Sequence, residues 1–455
     1  MTKISKKWQI GLSFILCHLS FSVALTSCQF EDDDYFDEPA AQRIETTIDD
    51  IQKTLVNAPN GWVMQFFTGI DDIEGFNLFA RFENSGKVTI AGDHRYLRGG
   101  RANRYTEYAS LYQMLKEDGP VLAFNTWNDV LTPFVDPVDY TSAPGSLVND
   151  GEGMMGDHNF VVISYSADEV MLRGERHSAN VRLIPCSSSW EDYISATTAM
   201  KNYIATTDVT NYYVTNGTDT LYFKDLRNGS FTYCERINDP LFPSTVNCVF
   251  TPQGFRLHHE NDIKGTKFQE FRVAADSTCL VSEDDSVRVI ACWDTYIVKR
   301  LTNTSSKTSP WTFDTEMFSE QQKVIYDNIA TVINKANKNW SLASLGLGST
   351  TGSGSVSGLV LTAYLNTKKT STRSAGMSMN IERTQFGQMK INSENPSFDS
   401  NVSAFIKNGV EGLDELLQNF AATLDGTYTI APNNYFCPTG ALFTPIEKGT
   451  KFQLK

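Results

Sequence analysis

Phe160-Val161-Val162-Ile163-Ser164-Tyr165, Val170-Met171-Leu172-Arg173-Gly174-Glu175-Arg176 and Val181-Arg182-Leu183-Ile184 follow one another with only short turn-forming stretches between them. Short apolar runs at even spacing, broken by Ser, Asp, Gly and Asn, read as an antiparallel meander that curls into a barrel or a sandwich. Upstream, Trp62 to Phe67 is an aromatic-rich strand, and Phe76 to Phe82 and Lys87 to Ala91 flank Glu83-Asn84-Ser85-Gly86 as a hairpin. Tyr105 to Lys116 reads as helical, and Val121 to Phe124 as a short strand.

The same texture continues downstream. Trp190 to Ala205 reads as a linking helix, followed by short strands from Tyr212 to Cys292. Phe318, Ile325, Ile329, Val332 and Ile333 mark an amphipathic helix, and Phe405, Leu413, Leu416 and Phe420 one face of another. Near the start, Ile44, Ile48, Ile51 and Leu55 recur at helical spacing before Ala58-Pro59-Asn60-Gly61 ends the run. The fold class is therefore α+β, mostly antiparallel β, in meander barrel or sandwich units with a few amphipathic helices. The expected division is a β-rich domain with an N-terminal helix over 39–188, a second β-rich unit over 189–300 and an α+β unit over 312–455.

The chain has 455 residues and a formal charge of −14, with a pI near 5.0. This balance opposes nucleic-acid binding, which needs a basic face to release counterions. A single long apolar stretch, Trp8 to Leu25, excludes a polytopic membrane protein. It follows Lys3, Lys6 and Lys7 and ends at Leu25-Thr26-Ser27-Cys28. A branched aliphatic, two small residues and a cysteine form a bacterial lipobox, so 1–27 is expected to be a signal peptide and Cys28 the lipidated N-terminus. Removal of three lysines takes the charge from −14 to −17. Stable anchoring takes more than one acyl chain, so Cys28 is expected to carry two or three. Glu31-Asp32-Asp33-Asp34, then Asp37 and Glu38, make 28–38 an acidic tether. Acids directly after such a cysteine resemble the surface-export signal of Bacteroidota lipoproteins.

Phe36-Asp37-Glu38-Pro39-Ala40-Ala41-Gln42-Arg43-Ile44, then Ala58-Pro59-Asn60-Gly61-Trp62, Leu115 to Thr126, Gly156-Asp157-His158-Asn159-Phe160 and Phe250-Thr251-Pro252-Gln253-Gly254 resemble, in this order, a family of Bacteroidota lipoproteins catalogued as domain of unknown function 4302. The resemblance brings no functional residues with it. It implies a context: an outer-membrane accessory that captures glycans or peptides for an importer partner.

No chemical motif stands clear of an ordinary explanation. Gly151-Glu152-Gly153-Met154-Met155-Gly156 fits G-x-G-x-x-G, but a polar loop precedes it and a strand follows, the reverse of a dinucleotide site. Asp150, Glu152 and Asp157 lack the spacing of a calcium loop and read as a polar turn. His258 and His259 on a strand point to opposite faces and cannot chelate one ion, so they read as isolated surface residues. Neither a metal nor a cofactor is expected. Cys234 with Cys248, and Cys279 with Cys292, can sit on neighbouring strands, with buried free thiols the favoured state. Trp127, Trp311 and Trp340 lie near polar loops and are the candidate exposed faces for stacking on sugar rings. Two functions fit: a lipid-anchored, surface-exposed binding accessory without catalysis, or a hydrolase of glycans or peptides built on a carboxylate pair that the sequence does not single out.

Overall fold

The computed structural model describes residues 40–70, 73–136, 154–227, 229–234, 244–304, 309–350 and 354–455. The signal peptide, Cys28 and the acidic tether lie outside these residues. Among the described residues no helix is long and apolar enough to cross a membrane.

The chain is mostly antiparallel β and belongs to the α+β class. Eight strands form a first barrel: β1 (Trp62–Phe67), β2 (Phe76–Phe82), β3 (Lys87–Gly92), β4 (Thr106–Lys116), β5 (Pro120–Phe124), β6 (Asn159–Tyr165), β7 (Val170–Gly174) and β8 (Asn180–Pro185). Each pairs with the next, and β1 also pairs with β8, so Val63 faces Phe79 on one side and Ile184 on the other. Alternate side chains then converge inside: Trp62, Met64, Phe66, Leu78, Ile90, Leu122, Phe160 and Leu183 share one core. Burying each such side chain contributes about 1.5–3 kcal/mol. Helix α1 (Ala40–Val56) adds Ile51 and Leu55 to that core, and the Leu55 carbonyl accepts the Trp62 indole N–H at 2.8 Å.

A second closed barrel follows, from β9 (Asn211–Thr215), β10 (Thr220–Arg227), β11 (Ser230–Cys234), β12 (Ser244–Phe250), β13 (Gly254–Ile263), β14 (Thr266–Val273), β15 (Leu280–Ser282) and β16 (Arg288–Ala291). Its interior is a stack of Phe223, Phe231, Phe255 and Phe271 with ring centroids 4.7–5.2 Å apart.

Helix α2 (Trp190–Ile204) joins the barrels. Ser189 caps it by accepting the Asp192 N–H at 3.1 Å. Its first turns lay Trp190 and Tyr193 on the outer face of the first barrel, against Val63 and Phe79. Every residue of β1 is buried, the inner face in the barrel core and the outer face under α2 at Val63 and under His258 at Phe67. The helix ends with Ile204 in the core of the second barrel. Direct contacts reinforce it. Asn77 donates to the Phe250 carbonyl at 2.8 Å, Gly75 N–H to the Cys248 carbonyl at 3.1 Å, and Phe67 stacks on His258 at 4.4 Å. Arg182 of β8 pairs with Glu169 and, at 2.8 Å, with Glu270 of β14.

The C-terminal part holds a four-stranded sheet, β17 (Trp311–Thr312), β18 (Ser341–Ser349), β19 (Ser357–Tyr364) and β20 (Thr372–Ser378). Its partner is a five-stranded sheet: β21 (Asn380–Gln385), β22 (Gln388–Asn392), β23 (Gly426–Pro432), β24 (Ala441–Glu447) and β25 (Phe452–Leu454). Both share one core with α3 (Trp293–Thr302), α4 (Glu320–Ala336), α5 (Ser400–Lys407) and α6 (Leu413–Ala422). Buried Asp294 on α3 accepts from Arg383 Nε at 2.7 Å and from Gly387 N–H at 3.0 Å, which fixes the β21–β22 hairpin to that helix.

Several expectations need correction. Tyr105 to Lys116 is not a helix; Thr106–Lys116 is strand β4. Its apolar residues fit both periods, and pairing with β3 and β5 decided for the strand. The helix through Phe405 and Phe420 is two helices, broken where Gly409 and Gly412 take positive φ. His258 is buried, and its ring stacks on His259 at 3.8 Å. A register shift in β13 between Arg256 and Asn261 replaces the strict alternation that would have parted them. The cysteines follow the favoured expectation instead: Cys186, Cys248, Cys279, Cys292 and Cys437 are free thiols, and burial pushes Cys292 up to about 12.

One buried acid holds the turn between β7 and β8. The Asp157 carboxylate accepts the backbone N–H groups of Arg176, His177 and Ala179 at 3.0–3.2 Å. Gly174 makes room for it, since a Cβ there would lie 1.9 Å from Asp157 Oδ2. Asp157→Ala leaves those donors without their acceptor, and the expected loss is about 2–4 kcal/mol in urea unfolding. A loss below about 0.5 kcal/mol would show that the turn holds itself.

Candidate functional site

The cleft between the barrels collects the most chemistry. It encloses about 260 Å³ and draws its lining from four places. The segment before and into β2 supplies Glu74, Gly75, Phe76 and Asn77; the segment after β3 supplies Asp93, His94 and Arg95. Helix α2 supplies Ile194, Thr197, Thr198 and Lys201, a spacing of 3, 1 and 3 that puts all four on one helical face. The second barrel closes the far side with Gly229, Val249 and Phe250. Gly229 is required there: its φ is +77°, and a Cβ would lie 2.8 Å from Glu74 Cβ and 2.9 Å from the Cys248 carbonyl.

Two acids and two bases meet in this cleft. Burial holds Glu74 above the ordinary carboxylate range, against the pull of Arg95 and Lys201. Burial does the same to Asp93, opposed by its own backbone and by Lys201. Arg95 pairs with Glu74 at 3.0 Å, while the Lys201 ammonium stands 5.3 Å from the centre of the Phe250 ring. His94 is 7 % exposed. Burial pushes its imidazole down to about 4, so it is neutral near pH 7.

Three side-chain atoms in this lining are buried with no hydrogen-bond partner: Asn77 Oδ1, His94 Nδ1 and Thr197 Oγ1. Leaving such a group unsatisfied costs about 1–3 kcal/mol. The other half of each ring or amide is engaged. Asn77 Nδ2 donates to the Phe250 carbonyl at 2.8 Å, and His94 Nε2 lies 2.9 Å from the Val130 carbonyl.

The aromatic candidates do not converge on this or any other common site. Trp127 is 49 % exposed, its indole N–H donates to Asp129 at 2.6 Å, and the Arg98 guanidinium covers it at 5.5 Å. Trp311 is buried in β17, contrary to the expected exposure, because its ring belongs to the C-terminal core. An edge of it borders a separate cavity of about 410 Å³ with Tyr296, Lys299 and Arg300. Trp340 is half-buried, edge-on to Phe405 at 5.7 Å. Among the described residues no three metal-ligating side chains come together. Gly156 leads into strand β6, and Gly151 to Gly153 of the glycine motif, like Asp150 and Glu152, lie outside the described residues. Sequence reasoning missed Glu74, Asp93, His94 and Lys201 as a group. The one available signal was the polar stripe of Thr197, Thr198 and Lys201 along the linking helix.

No curated protein matches this chain. An uncharacterized protein from Bacteroides eggerthii is similar over 29 % of this chain and all of its own, at 12 % identity and a TM-score of 0.18. The DNA polymerase III beta subunit of Thermotoga maritima is similar over 91 % of this chain and 96 % of its own, at 7 % identity and a TM-score of 0.13. Both scores are too low to carry an inference about fold or function. The sequence profile of the family described as "Domain of unknown function (DUF4302)" matches residues 32–275, more than half of this chain, and the chain therefore belongs to that family.

Proposed function

We propose that the protein is a lipid-anchored capture protein of a Bacteroidota outer membrane. It is held through acyl chains on Cys28, faces outward on its acidic tether and presents the inter-barrel cleft to a small polar ligand. The observation that carries the reading is one cavity between the two barrels whose lining brings Glu74 and Asp93, both held raised by burial, together with Arg95 and Lys201. A concave site with convergent polar groups and perturbed acids is where binding is expected first. Glycan or peptide fragments bound for an importer are the ligands that this setting favours. The net acidic charge opposes both nucleic acid and anionic lipid as partners.

A hydrolase is the second reading, favoured by two acids with raised values in one cleft. Arg95 holds Glu74 in an ion pair, which fits a binding role better than proton transfer.

Two outcomes test the proposal. Labelled palmitate is expected to enter the protein in its native host and to be absent from Cys28→Ala, which leaves the membrane fraction. Label in that variant, or none in the parent, would overturn the anchoring. The second concerns Asp93. A carboxyl whose value is raised on folding favours the folded state below its unfolded value, and this contribution is lost as pH rises through the raised value. Asp93→Asn is therefore expected to raise the melting temperature at about pH 7 and to match the parent at about pH 3, where both are uncharged. It would also abolish turnover of a hydrolase substrate. An activity that survives the change removes Asp93 from any catalytic role.

A further inference from the structure

We propose that the inter-barrel cleft binds a small zwitterion of the α-amino acid type, its ammonium set against Asp93 and its carboxylate against Lys201. The inference rests on the capture reading above and names its ligand class.

Asp93 and Lys201 reach the cleft from two elements, the segment after β3 and helix α2. Both are half-buried, so each keeps surface that a solute can touch. The groups that feel the Lys201 ammonium place it. It stands 5.3 Å from the centre of the Phe250 ring, and its charge bears on Glu74, Asp93 and Cys248, which belong to both barrels. Glu74 is already held by Arg95 at 3.0 Å. Among the described residues Lys201 forms no ion pair, and the Asp93 carboxylate has its own backbone as its one hydrogen-bond partner. An acid and a base that act on each other without meeting leave a gap between them, and the cavity occupies that region.

Charge decides what bridges the gap. When ionised, Glu74 and Asp93 offset Arg95 and Lys201. A lone cation would meet Asp93 and be opposed by Lys201, and a lone anion the reverse. Each would leave one half-buried charge unmatched. A zwitterion meets both at once. Hydrogen bonds to charged groups are also roughly twice as strong as those between neutral ones, which favours a zwitterion over a neutral sugar. Burial still holds Asp93 above the ordinary carboxylate range despite Lys201, so the acid lacks compensation that a ligand's ammonium supplies. Size agrees. About 260 Å³ falls below the roughly 300–1,000 Å³ typical of drug-sized ligands and suits a single amino acid. Ile194 and Phe250 give an aliphatic side chain an apolar wall.

The test is calorimetry on the full chain in detergent at about pH 7, where both ends of an amino acid are charged. The probes are L-alanine and L-leucine, against N-acetyl-L-leucine, which lacks the ammonium, L-leucinamide, which lacks the carboxylate, and D-galactose. Leucine is expected to bind, and each blocked form to bind at least about tenfold more weakly, the worth of one charged hydrogen bond. Lys201→Met is expected to bring leucine down to the level of leucinamide while leaving leucinamide itself unchanged. Asp93→Asn is expected to do the same toward N-acetyl-leucine. A variant that merely damages the fold weakens every probe alike. The comparison of leucine with its blocked forms needs no variant, so it decides the ligand class even where a variant does not fold. Blocked forms that bind as well as leucine overturn the inference, as does leucine binding that neither variant changes. Galactose binding that weakens in Lys201→Met, with no amino acid bound, overturns the ligand class and leaves the capture reading standing. If no probe of any class binds, both fail.

Discussion

Closure of a strand meander on itself governs this molecule. Trp62 to Phe67 pairs with Phe76–Phe82 on one side and Asn180–Pro185 on the other, so the first barrel has no free edge. The second closes in the same way through β9 and β16. Two edgeless barrels cannot join by adding a strand. Their union must run through side chains, turns and a helix laid across both, and α2 is that helix. Anything laid across two convex surfaces leaves a gap beside it. The cleft is that gap, and its polar lining is what distinguishes it from a packing defect.

The strands were legible because turn residues bound them and apolar residues alternate between the bounds. The first barrel's last three strands lie where the runs from Phe160 to Ile184 placed them. The first amphipathic helix was legible from Ile44, Ile48, Ile51 and Leu55, whose last two members reach the core. Strand β4 was not, because Tyr108, Leu111, Tyr112 and Leu115 satisfy a helical period as well as a strand's. Only its neighbours could decide. Nor was α3, whose ten residues carry one buried charge, Asp294, on the face that docks the C-terminal hairpin. Local pattern is a weak guide where tertiary contact makes the choice.

The cleft was illegible for a different reason. Glu74, Asp93, Thr197 and Lys201 are each ordinary surface residues in sequence, and they sit in three segments that only barrel closure and helix docking bring together. Tryptophan pointed the wrong way. Trp127 is exposed, but an arginine covers its ring, and Trp311 was taken into a core. Aromatic content says how much apolar surface a fold must bury; it does not say where a ligand stacks.

Buried polar groups elsewhere in the molecule show what the cleft lacks. Asp157 is saturated by the backbone of a turn. Asp294 is held by Arg383 and Gly387, and Asp399 caps α5 by accepting from Asn401 and Val402. Where this chain buries a carboxylate for structure, it supplies the donors. In the cleft Glu74 and Asp93 are half-buried and incompletely compensated, and Asn77 Oδ1, His94 Nδ1 and Thr197 Oγ1 of the surrounding residues are sealed in without a partner. Each bare atom costs about 1–3 kcal/mol, a large fraction of the net stability of a typical domain. Apolar residues of similar shape would remove that cost, and none of the five positions carries one. Acids held raised beside Arg95 and Lys201 in a cavity open to solvent are what a polar binding site requires and a packed core does not.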